Sequence, residues 1–208
     1  MTNPLSTVVR ELRALTPSYP LADYQAESLA ERQATKLLEL LEITKAPVDV
    51  SRVAELPRLE VVVRTRQQIG GLSGLTEWSK GRWLIAINRD ESGTRRRFTL
   101  AHELKHILDH PFMRVLYVDE RGNIDDQRVE SMCDYFAACV LMPRTWVKKA
   151  WTTVTQDQTE LAALFRVSPA AMSRRLMHLG LTEPRFPMRG HESVARYFRS
   201  GVELPVAC

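Results

Sequence analysis

The chain has 208 residues, 44% of them hydrophobic and 26% charged, with a formal net charge of +4 and a pI near 9.1. That balance belongs to a folded soluble domain with room for a small appendage, and it excludes a disordered or fibrous chain. Three cysteines without a C-x-x-C spacing exclude a disulfide framework. No apolar run is long enough to span a bilayer, and the N-terminus has no basic-then-apolar export pattern, so no membrane association is expected and a reducing cytoplasm is the expected setting.

Residues 1–22 read as an N-terminal extension. Val8, Val9, Leu12 and Leu15 make a short amphipathic stretch ended by Pro17, and a docked helix and a frayed end both fit it. Ala22–Glu42 is a stronger helix. Asp23 is placed to cap it, and Ala26, Leu29, Ala30, Ala34, Leu37, Leu38 and Leu41 recur at threes and fours. After Pro47–Val50, a short helix over Ser51–Leu56 leads to a strand at Leu59–Arg64, whose three successive valines favour extended backbone.

Gly70–Leu75 reads as a loop. No Gly-Lys-Ser/Thr follows, so it is not a phosphate cradle. A plain hairpin suits it, and so does a strand edge that takes an extended substrate chain by main-chain hydrogen bonds, which makes Gly74 a candidate substrate contact. Lys80-Gly81 then turns the chain into a second strand, Trp83–Asn88.

Phe98–His110 carries the chemistry. Thr94 is the expected N-cap of its helix, and Phe98, Leu100, Ala101, Leu104, Ile107 and Leu108 supply the apolar positions. Within it His102-Glu103-Leu104-Lys105-His106 has the form His-Glu-x-x-His. Residues four apart lie on one helix face, about 6 Å apart along the axis, so both imidazoles can aim a nitrogen at one metal ion. Glu103 is then placed to take a proton from a water at that ion. Arg95-Arg96-Arg97 opposes the helix dipole, so acidic neighbours are expected to pair with these cations; an acidic or phosphate-bearing partner is the sharper reading, with Arg97 a candidate substrate contact. His110 reads as a helix C-terminal residue.

Arg114–Asp119 is expected as a short strand and Asp119–Asp126 as a charged loop. Gln127–Met142 is helical by its spacing of Val129, Met132, Phe136, Ala137, Val140 and Leu141, and Pro143 stops it. Zinc hydrolases take three protein ligands and leave a fourth position open. Glu130 is the candidate third ligand: it lies 24 residues past His106, room for a returning helix. Asp134, one turn on, is placed to accept the second N–H of a ligating histidine.

With these two segments the chain resembles the ImmA/IrrE family of bacterial metallopeptidases. The resemblance rests on Arg96–Leu108, Glu130, Asp134, Phe136-Ala137 and Leu141-Met142-Pro143, and runs from about Glu27 to about Leu181. It implies His102, His106 and Glu130 as Zn2+ ligands, Glu103 as catalytic base, and no small-molecule cofactor. Two nitrogens and one carboxylate also fit manganese or iron. This chain departs from the family at Cys133, where a small apolar residue is usual. A thiol there lies on nearly the same face as Glu130 and, as thiolate, is a competing zinc ligand; Glu130 is kept as the ligand and Cys133 is read as core.

Arg144–Trp151 should add a helical turn or two. Residues 153–184 then read as two helices with a short turn. The first is started by Thr155 or Asp157; the second is capped by Ser168, with Pro169 at its first position and Gly180 at its end. Between Arg166 and Arg199 seven arginines face two glutamates, a net +5, and Arg174 and Arg175 sit on the second helix. Both are candidate substrate contacts; direct DNA binding is the second choice.

The expected fold is therefore α+β. A zincin-like metallopeptidase domain (residues 23–152), helices packed on a small, mostly antiparallel sheet, is followed by a helix-turn-helix-like segment (153–184) and a tail (185–208). The resemblance implies an endopeptidase that cleaves a helix-turn-helix transcriptional repressor, relieving repression of stress, prophage or mobile-element genes. The alternative is a non-proteolytic regulator or toxin–antitoxin component, binding DNA or a repressor with a structural metal or none. A side chain that stabilises the transition state is expected among Tyr117, Tyr135, His178 and His191.

Overall fold

The computed structural model describes residues 5–119 and 121–183. His191 and the tail over 185–208 lie outside them.

The first helix, α1 (Leu5–Arg13), buries Val9 and Leu12 against the next, α2 (Asp23–Leu40). Gln33 of α2 donates to the Leu12 carbonyl at 3.2 Å. The amphipathic stretch near the N-terminus is thus a docked helix. The start of α2 is not capped by Asp23: the Ala22 N–H is accepted by the Gln25 side chain at 2.9 Å, and Asp23 pairs with Arg128 at 2.8 Å instead.

A short helix, α3 (Ser51–Ala54), precedes the sheet. The sheet has β1 (Leu59–Arg64), β2 (Gly74–Ser79) and β3 (Arg82–Asn88) in the order β1-β3-β2. The expectation of a mostly antiparallel sheet is corrected here, because β1 runs parallel to β3 and only β2 runs antiparallel to it. Lys80 and Gly81, at φ 50° and 78°, make the tight β2–β3 hairpin. A hairpin paired on one side of β3 leaves β1 the other side. β2 is an edge strand that begins at Gly74, inside the stretch expected as a loop, and agrees with the strand-edge reading of that stretch.

The helix α4 (Gly93–Asp109) packs against β2 and β3 and against α6 (Asp126–Leu141). Ser92, not Thr94, caps α4, accepting from the Arg95 N–H at 3.2 Å. Its C-terminal carbonyls at Ile107 and Leu108 are held by the Arg13 guanidinium, at 2.6 and 3.2 Å. Between α4 and α6, Met113–Leu116 forms a helical turn, α5, and not the expected strand. Asp125 caps α6 by accepting from the Arg128 N–H at 3.0 Å.

A polar cluster sits inside this core. Lys105, with no exposure, donates to Asp109 and to Gln33 at 2.8 Å each, and Tyr117 donates to the other Asp109 oxygen at 2.5 Å. It ties α4 to α2 and α5.

Beyond Pro143 come α7 (Arg144–Thr153), α8 (Gln158–Phe165, capped by Asp157) and α9 (Pro169–His178, capped by Ser168). Leu161, Phe165, Met172 and Leu176 of the last pair join the same core as α2, α4 and α6. No helix among the described residues is long and apolar enough to cross a membrane.

Candidate metal centre

The spacing of four on α4 brings the two motif imidazoles together: His102 Nε2 and His106 Nε2 are 3.1 Å apart. Glu130, one turn inside α6, reaches both from the facing helix. Its Oε2 is 3.2 Å from His102 Nε2 and its Oε1 is 3.3 Å from His106 Nε2. Donors bound at roughly 2.0–2.1 Å around one tetrahedral ion lie about 3.3 Å from one another. Two imidazole nitrogens and a carboxylate at that separation fit a zinc-sized cation.

Asp134 Oδ1 lies 2.9 Å from His102 Nδ1. An N–H donated there leaves Nε2 with its lone pair for a ligand. Burial pulls the His102 pKa down, but the Asp134 hydrogen bond and the charges of Asp134, Glu103 and Glu130 outweigh it, and the net shift is upward. The His106 pKa moves down, first by burial and then by the charge of His102 beside it. The two shifts run in opposite directions in a site walled by the carboxyls of Glu103, Glu130 and Asp134.

Glu103 is nearly buried, at 7% exposure. Thr76 of β2 donates to its Oε2 at 2.6 Å. The adjoining Gly74 has no side chain for a steric reason: a Cβ there would stand 2.6 Å from Glu103 Oε1 and 2.4 Å from Thr99 Cγ2. Sequence reasoning makes Gly74 a candidate substrate contact but misses Thr76, since a lone threonine just past the glycine-rich stretch gives no sign of its partner.

A cavity of about 470 Å³ opens between the start of α4, α6 and α9; it shares Asp134 with the site, and His102, His106, Glu103 and Glu130 do not line it. Phe98, Asp134, Tyr135, Ala171, Arg174 and His178 line it. The Tyr135 and His178 rings meet at a tilt of 44°, 5.5 Å between centroids. Tyr117 is excluded from any role at the ion: it is buried, and its hydroxyl is committed to Asp109.

The other candidate contacts divide. Arg174 is exposed on the cavity rim. Arg175 is a packing residue, contrary to expectation: at 1% exposure it donates to the Met142 carbonyl and pairs with Glu31, both at 3.0 Å. Arg97 turns to the Val48 carbonyl at 2.7 Å and is no part of the cavity. No ion pair of Arg95, Arg96 or Arg97 within 4.0 Å occurs among the described residues, though the charge of Asp49 acts on Arg97. Arg95 instead lies over the Phe98 ring at 5.6 Å.

Cys133 is fully buried, and its sulfur lies within 4.8 Å of ring nitrogens of both His102 and His106.

Residues 58–177 match the Peptidase M78 family, described as the IrrE N-terminal-like domain. Over 99 residues, 46% of this chain, the sequence is 31% identical to the radiation response metalloprotease IrrE of Deinococcus deserti, covering 35% of that protein. In fold it is similar to a Mycobacterium tuberculosis transcriptional regulator, at a TM-score of 0.52 and 16% identity, over 82% of this chain and 51% of that one. The chain thus spans about a third of the first relative and half of the second.

Proposed function

The chain belongs to the IrrE N-terminal-like peptidase family, and from that premise we propose that it is a zinc-dependent endopeptidase of the ImmA/IrrE type. The observation that carries this reading is the convergence of His102 and His106 from α4 with Glu130 from α6 at separations between 3.1 and 3.3 Å. When bound there, the ion supplies Lewis acidity, lowering the pKa of a water and polarising a peptide carbonyl.

The chain's own groups do the rest. Asp134 orients His102. Thr76 holds one oxygen of Glu103 and so aims the other, which takes the proton of the attacking water and passes it to the leaving amine. The outer edge of β2 is the place for an extended peptide to add as a strand, directly beside Glu103. Arg174 on the cavity rim is kept as a substrate contact; Arg97 and Arg175 are withdrawn.

The substrate proposed is a protein, a helix-turn-helix transcriptional repressor whose cleavage relieves repression of stress, prophage or mobile-element genes in the cytoplasm. Direct DNA binding is the weaker reading, because one of its two expected reader arginines, Arg175, is inside the core. The test is to incubate the full chain with the helix-turn-helix protein encoded beside it. Wild type should cleave it; Glu103→Gln or added chelator should leave it whole. Relief of repression by Glu103→Gln with the repressor intact on a gel would end the peptidase reading.

A further inference from the structure

Cys133 is a metal-binding side chain near the histidines that the proposed reaction does not use. It lies three residues after Glu130 on α6, so the two point to nearly the same side of the helix. The two differ in setting: the Glu130 side chain is 60% exposed, and Cys133 has no exposure. The Cys133 thiol is free, in no disulfide.

Its sulfur and one ring nitrogen each of His102 and His106 all lie within 4.8 Å of one another. A nitrogen and a sulfur on one tetrahedral zinc are about 3.5 Å apart, given bonds of roughly 2.0–2.1 and 2.3 Å. An approach of little more than about 1 Å therefore separates the present sulfur from a bonding position. Zinc favours such a mixed nitrogen and sulfur set.

We propose that Cys133 is a further ligand of the ion held by His102 and His106, its thiolate occupying the position that a reacting water needs. This rests on the metallopeptidase reading and adds to it a resting state. With the sulfur bound, the ion has four protein donors, as in a closed structural site; with it displaced, three donors and an open corner remain. A cysteine that serves only as core would leave the ion's spectrum untouched.

The experiment uses the full chain, reduced, stripped with chelator and reloaded with Co2+. Wild type should show the visible ligand-field bands of a four-coordinate ion together with a near-ultraviolet thiolate-to-cobalt charge-transfer band. That band should disappear in Cys133→Ser and survive in Cys139→Ser. Wild-type protein with the visible bands but no charge-transfer band overturns the proposal while leaving the peptidase reading in place, and needs no variant to fold. A charge-transfer band that persists in Cys133→Ser overturns it too. Wild-type protein that takes up no Co2+ overturns both readings.

Discussion

Thr76, on the edge strand, donates its hydroxyl to Glu103 Oε2 at 2.6 Å, and so couples the proposed substrate edge to the proposed catalytic base. A hydrogen bond to a charged group contributes about 1.5–3 kcal/mol. Thr76→Val keeps the strand and removes the bond. Its kcat/KM on a cleaved substrate should fall roughly 10- to 100-fold with zinc content unchanged. Unaltered kinetics would show that Glu103 is positioned by something else.

Gly74 makes the same coupling possible by being small. In Gly74→Ala the new methyl would sit 2.4 Å from Thr99 Cγ2 and 2.6 Å from Glu103 Oε1, so the strand or Glu103 must move. A misplacement of about 1 Å costs about 100-fold in rate, and overpacking costs about 1–3 kcal/mol of stability. Gly93→Ala, whose methyl meets nothing within 4 Å, is the control and should lower neither activity nor the urea midpoint.

The buried Lys105–Asp109 pair predicts a stability effect that does not act through the metal. Lys105→Met leaves the Asp109 carboxylate buried with only the Tyr117 hydroxyl, a loss of about 3–5 kcal/mol in urea unfolding. Tyr117→Phe should cost less, about 1–3 kcal/mol. A Lys105→Met variant as stable as wild type would mean that the buried pair contributes nothing to stability.

Glu31 sets an acid limit. Burial pushes its carboxyl up, but hydrogen bonds and charges from Arg144 and Arg175 prevail and hold it below the ordinary value of 4.5. A lowered folded pKa gives stabilisation that is full above that value and is lost as pH falls through the folded one. Glu31→Gln, which leaves the Arg175 guanidinium short of a partner, should be clearly less stable than wild type at pH 7. The gap should close as urea unfolding is repeated towards acid, and a gap constant across pH would refute the ion-pair origin.

Much of this site could be read from residue order, for physical reasons that also mark where reading stops. His102, His106 and Glu130 follow from helical periodicity and carboxylate placement, because both helices have long apolar stripes and clear stops. The caps at Asp157 and Ser168 are local chemistry and equally legible. β2 was not, because Gly74–Ser79 lacks a β-branched run and begins among glycines that also suit a turn. The parallel β1–β3 pairing depends on which side of β3 remains open, a fact of packing. Arg174 and Arg175 are chemically identical neighbours; which of them is buried depends on where Glu31 and the Met142 carbonyl lie, far away in the chain.

Zinc binding by chelator competition tests the central claim most directly, that α4 and α6 grip one ion between them. Wild type and Glu103→Gln should each take one equivalent with equal affinity. His106→Ala, from one helix, and Glu130→Ala, from the other, should each bind at least about tenfold more weakly. Undiminished affinity in Glu130→Ala would contradict the account, because the second helix would then contribute nothing to the metal through the residue assigned to it.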